Sequence, residues 1–71
     1  MSMEIFVKRL NELIKERGIT RYRLSKDLGV NKQTITFWVD GINEPKIFYL
    51  YKLSKYFDVS ADYLLGLSDD I

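Results

Sequence analysis

The stretch RYRLSKDLGVNKQTITFWVD, residues 21–40, decides how this chain folds. Leu24 and Leu28 lie four apart, so they share one face of a short helix that Gly29 closes. Thr20, just before it, is a good N-cap, and Arg23 three residues on excludes a capping box. After Val30, Asn31 is a second N-cap candidate, and Ile35, Trp38 and Val39 then fall on one side of a following helix. The β-branched residues Thr34, Ile35, Thr36 and Val39 would suit a strand, but apolar spacing of three and four selects the helix. Two short helices that cross steeply need a small residue where their backbones approach, here Ser25, and a residue free to turn between them, here Gly29. Leu24, Leu28, Val30, Ile35 and Trp38 fill the space between the two. Lys32, Gln33, Thr36 and Phe37 are left on the outer face of the second helix, free to enter a major groove.

The flanks read as further short helices. Phe6, Leu10, Leu13 and Ile14 recur at helical spacing and predict a helix over 4–17, ended by Gly18. Gly41 to Pro45 is a loop, and Pro45 suits the start of a helix over 46–57 whose inward stripe is Ile47, Leu50, Leu53, Ser54 and Phe57. Ser60 is an N-cap for a last helix over 61–65. With helices over 21–28 and 32–39, the expectation is an all-α, compact five-helix orthogonal bundle spanning residues 1–66, with a frayed tail over 67–71. No repeat, low-complexity segment or linker interrupts it.

Seventy-one residues make one domain and leave no room for a second that senses a ligand. With no Cys and no His there is neither a disulfide nor an ordinary zinc site, so a second copy of the chain is the plausible stabiliser of so small a core. There is no signal-peptide h-region and no apolar run of membrane-spanning length, which makes a cytoplasmic protein the simplest expectation. An enzyme reading lacks a nucleophile beside a base, a Gly-rich phosphate loop and any His. No cofactor, metal or small-molecule ligand is expected. The formal charge of +1 is a weak pointer to nucleic acid, but residues 1–40 hold eight Lys and Arg against five acids, and residues 41–71 three against five. The basic part contains residues 21–40.

The chain resembles the Cro/CI-type helix-turn-helix family of phage repressors and related small bacterial regulators. The resemblance runs through Arg9-Leu10, Arg17-Gly18, Leu28-Gly29-Val30, Thr34-Ile35, Trp38, Gly41, Glu44-Pro45, Leu53 and Val59-Ser60-Ala61-Asp62-Tyr63-Leu64-Leu65-Gly66. It implies a phage-repressor type of DNA-binding domain whose second and third helices form the helix-turn-helix. Lys32 and Gln33 match the family's base-contacting positions, and a Lys can donate to guanine while a Gln can bridge adenine. Thr36 and Phe37 fall on the next turn, where Phe37 replaces a residue that is often polar or basic. Arg21 stands where a phosphate-contacting Gln is usual, and Thr20, Asn31 and Lys46 are further phosphate candidates at helix N-termini. Two departures stand out. Asp40 replaces a neutral Asn near phosphate, so its carboxylate should repel DNA unless it turns away. Ile14 and Val39 replace a partly buried ion pair of many relatives, a change that is often neutral or stabilising.

The resemblance therefore implies a transcriptional repressor that binds a pseudo-palindromic operator in double-stranded DNA as a homodimer. The alternative on the same fold is a protein-interaction module, antirepressor or antitoxin-like, and a third reading is a fragment of a longer repressor. Phe37 is open between a base contact, a protein-binding anchor and a ring folded back on its own domain. Tyr49, Tyr56 and Leu67 form the candidate dimer face, although amphipathic tyrosines also tolerate water. Glu12, Glu16, Asp69 and Asp70 read as solvated charges.

Overall fold

A computed structural model describes residues 3–71. Five helices follow in order: α1 Met3–Arg17, α2 Arg21–Leu28, α3 Lys32–Val39, α4 Ile47–Phe57 and α5 Ala61–Leu65. No strand occurs among the described residues. The Cα radius of gyration is 10.9 Å, the value of about 11 Å expected of one packed domain this long.

Local chemistry sets the helix starts. Thr20 Oγ1 accepts from the Arg23 amide at 3.0 Å, Asn31 Oδ1 from the Thr34 amide at 2.8 Å, and Ser60 Oγ from the Tyr63 amide at 2.9 Å. Each side chain satisfies one of the donors that a helix N-terminus leaves unpaired. Helix α4 begins at Ile47, one residue later than the sequence suggests, because Lys46 has the extended backbone of an N-cap, with φ −65° and ψ 158°.

The core is one cluster shared by all five helices, with Leu10, Leu24, Ile35, Leu53, Phe57 and Leu64 wholly enclosed. Leu28, Trp38 and Val39 are also buried, and Ile14 packs against the same cluster, so the apolar pair of α1 and α3 serves as ordinary core. Ser25 is buried as the small residue of α2, and its hydroxyl donates to the Tyr22 carbonyl at 2.6 Å. The stripe expected of α4 is corrected at its first member. Leu53 and Phe57 are enclosed and Leu50 half-buried, but Ile47 is 85% exposed. As the first helical residue it precedes the point where α4 meets the rest of the bundle.

Polar side chains of α1 reach across the chain to backbone carbonyls. Arg17 donates to the Phe57 carbonyl at the end of α4. Asn11 Nδ2 donates to the Val39 carbonyl at 3.1 Å, tying α1 to the end of α3. Arg9 donates to the Tyr63 carbonyl and, at 2.8 Å each, to the Ser68 carbonyl and Asp69 Oδ1, while its guanidinium lies 4.2 Å from the Tyr63 ring centroid. Within residues 67–71, where the sequence suggests fraying, Ser68 and Asp69 are thus bonded to α1, and Asp69 is paired while its side chain stays in solvent.

Helix α4 ends on Asp58, whose φ of 54° is left-handed although it is not a glycine. That conformation strains an L side chain, and a carboxylate is unfavourable at the negative end of a helix. Replacing Asp58 by Gly should therefore raise stability by about 0.5 to 1 kcal/mol, after the entropy a glycine adds to the unfolded chain is deducted. Urea unfolding of both proteins checks this, with an unchanged slope and a higher midpoint expected.

Candidate nucleic-acid interface

The turn between α2 and α3 is set by Gly29, at φ 74° and ψ 30°, and fastened by the Val30 amide donating to the Ser25 carbonyl at 3.0 Å. Left-handed backbone at that point lets the chain turn sharply over Gly29, Val30 and Asn31 and start α3 at Lys32. The first turn of α3 then leaves Lys32 and Gln33 exposed, while Thr36 and Phe37 on the next turn are half-buried. The Phe37 carbonyl accepts from the Ile42 amide at 2.8 Å and the Asn43 amide at 3.3 Å, which folds the loop after α3 back onto that turn.

The phosphate candidates lie at three helix starts. Thr20 is exposed at α2, with Arg21 half-exposed beside it. Asn31 and Lys46 line one open cleft of about 610 Å³ with Thr34, Asn43 and Glu44, so the structure brings the starts of α3 and α4 together. Asn31 also takes the Thr34 hydroxyl at 3.0 Å, so its Oδ1 is engaged in capping and its amide nitrogen is what it can offer an anion. Asp40, at the end of α3, faces Arg21, with its Oδ1 3.8 Å from a guanidinium nitrogen and both side chains nearly half exposed.

Of the expected dimer face, Tyr49 packs its ring 5.8 Å from that of Trp38, and Tyr56 donates to Asp27 Oδ2 at 2.6 Å. Both are half-buried and committed within the chain, whereas Leu67 is exposed. The exposed aromatics of α4 are Phe48 and Tyr51, stacked at 6.5 Å between centroids.

Sequence reading missed what holds α2 against α4. Asp27 accepts from Tyr56 and, at 2.9 Å, from Arg23 Nε, while Lys52 Nζ donates to the Leu28 carbonyl at 2.9 Å and so closes the C-terminal end of α2. The bond between Arg23 and Asp27, at i and i+4, was legible as a helical pair. The Tyr56 contact, 29 residues away, was not.

The fold and this exposed helix start define a helix-turn-helix transcriptional regulator domain. A helix-turn-helix family model matches residues 10–64, and the chain belongs to that family, the Cro/CI type. It is 32% identical over 66 residues to the HTH-type transcriptional regulator YobD of Bacillus subtilis, covering 93% of this chain and 59% of that protein. An HTH-type transcriptional regulator of Archaeoglobus fulgidus is 29% identical over 62 residues, covering 87% and 89%. The fold is similar to the SOS-response transcriptional repressor LexA of Eubacterium rectale, with TM-score 0.85, 30% identity, and coverage of 89% of this chain and 67% of that one. A transcriptional regulator of Listeria innocua gives TM-score 0.83 at 30% identity, covering 93% and 62%. The chain thus spans about three-fifths of the length of the B. subtilis relative. Among the described residues, no helix is long and apolar enough to cross a membrane.

The Asp27 cluster makes stability depend on pH. The Tyr56 hydroxyl bond, and after it the Arg23 bond, hold the Asp27 carboxyl below its usual range. A group lowered in the folded state stabilises above its unfolded value, about 3.9, and that contribution is lost as pH falls through the lower folded value. Tyr56→Phe should therefore lower the urea midpoint at neutral pH, and the difference from wild type should shrink as pH drops below about 4. A difference independent of pH would show that the lost bond acts without the Asp27 charge.

Proposed function

We propose that this chain is a repressor that binds a pseudo-palindromic operator in double-stranded DNA as a homodimer. The observation that carries this reading is the exposed pair Lys32 and Gln33 on the first turn of α3, with Arg21 and Lys46 at the neighbouring helix starts. Lys32 and Gln33 read base edges in the major groove. Thr36 and Phe37, half-buried on the next turn, add contacts, with Phe37 suited to a thymine methyl. Thr20, Arg21, Asn31 and Lys46 hold phosphates and set the register. The family's regulators and the LexA relative, itself a repressor, support this assignment.

The dimer contact is assigned to the aromatic side of α4. There Phe48 and Tyr51 are exposed beside the half-buried Tyr49 and Tyr56, with Leu67 as a separate exposed candidate. Two copies would place their recognition helices about 34 Å apart, one turn of B-DNA.

Selection and sequencing of bound random duplexes, beside light scattering of the free protein, tests the reading. The expected result is an enriched inverted repeat with half-sites about one helical turn apart. Negligible affinity at low salt with no enriched sequence would overturn it in favour of the protein-interaction module. On the selected operator, Gln33→Ala should cost about 1 to 3 kcal/mol, mostly at one base pair, whereas Arg21→Ala should weaken all duplexes alike. A changed base preference in Arg21→Ala would reassign that residue to base reading.

A further inference from the structure

We propose that Asp40 tunes the DNA affinity of this domain by holding Arg21, so that each arriving phosphate must compete with a carboxylate for the same guanidinium. This rests on the reading of Arg21 as a phosphate contact. Asp40 caps the C-terminal end of α3, its amide donating to the Thr36 carbonyl at 2.9 Å. A carboxylate at that end opposes the helix dipole, so its charge does nothing for the helix that carries it. The charged partner it meets is Arg21, 3.8 Å away at the start of α2.

The geometry makes Asp40 a stand-in for phosphate. An anion near Arg21 sits at the positive end of α2, where the guanidinium and the helix N-terminus attract negative charge together. Both side chains of the pair remain close to half exposed, at 41% for Arg21 and 47% for Asp40, so Arg21 is reachable by a phosphate while the carboxylate stays beside it. An exposed pair of this length is weakly held and readily exchanged. Its effect is to subtract charge from the interface rather than to block it. Because a phosphate contact carries no base information, the subtraction falls equally on every sequence and holds down binding to unselected DNA.

A double-mutant cycle on a duplex of unselected sequence tests this, with affinity followed across salt concentration and the melting temperature of each variant as a control. Asp40→Asn should tighten binding about three- to tenfold at low salt. It should also steepen the slope of log affinity against log salt by up to about 0.9, as for one further neutralised phosphate. In the Arg21→Ala background the gain from Asp40→Asn should fall severalfold, leaving only the direct repulsion between the carboxylate and phosphate. An equal gain in both backgrounds would overturn the proposal, because Asp40 would then repel DNA without acting on Arg21. No gain in a chain that Arg21→Ala still weakens would overturn it while leaving the phosphate role of Arg21 standing. If Arg21→Ala itself left affinity unchanged, the underlying reading of Arg21 would fail.

Discussion

The contact of α2 with α3 is the constraint on which the rest of the structure depends. Leu24 and Ile35, one from each helix, are both wholly enclosed, and the chain joins the helices through a turn whose hinge is a left-handed Gly29. The burial of these side chains fixes how far α3 can rotate about its own axis. That rotation in turn decides which residues are left outside. With Ile35, Trp38 and Val39 inward, Gln33 must face solvent, while Lys32 is exposed as the first residue of α3. The exposed face of the helix is the complement of its buried face, so core packing and the candidate interface are set by one set of contacts.

A chain of this size encloses little apolar surface, and the structure supplements the core with cations aimed at carbonyl groups. Arg9, Arg17 and Lys52 each reach a backbone carbonyl of a distant segment, and Arg23 is bonded to Asp27. Such bonds between a charge and a carbonyl are stronger than neutral ones, and they close helix ends that would otherwise expose unpaired oxygens. Basic residues here have two employments, in the fold and at the interface. Net charge cannot separate them, which is why the total of +1 is so poor a guide.

What was legible in the sequence follows the same division. The five helices, their caps at Thr20, Asn31 and Ser60, and the enclosed residues of α2 and α3 were readable because each rests on local spacing. The exposure of Gln33 follows from that spacing too, and that of Lys32 from its place at the helix start. Ile47 was misplaced because periodicity extends a stripe to the end of a helix, while the core it points to stops one turn earlier. The contacts of Tyr49 with Trp38 and of Tyr56 with Asp27 lie outside what the candidate dimer face of Tyr49, Tyr56 and Leu67 implies, because pairings across such separations leave no mark in local pattern. The hold of Arg9 on Ser68 and Asp69 was hidden for the same reason. The resemblance had flagged Arg9 and Arg17 as family positions without showing what either does.

Arg9, Arg17, Arg23 and Lys52 are engaged within the fold, and of the seven other Lys and Arg only Lys32, Lys46 and Arg21 are assigned to the proposed interface, with Arg21 shared with Asp40. Few neutralised phosphates per domain mean a shallow salt dependence and weak binding to any one half-site. That weakness is useful if two domains act together. Joining a second copy makes the second half-site an intramolecular event, and affinity then multiplies on a properly spaced pair while single sites stay weakly occupied. A domain with more free charge would bind each half-site, and every other duplex, tightly enough to lose that contrast. In the proposed dimer, low charge at the interface and the exposed aromatics of α4 would be two parts of one physical solution, in which discrimination comes from spacing two weak contacts rather than from strengthening one.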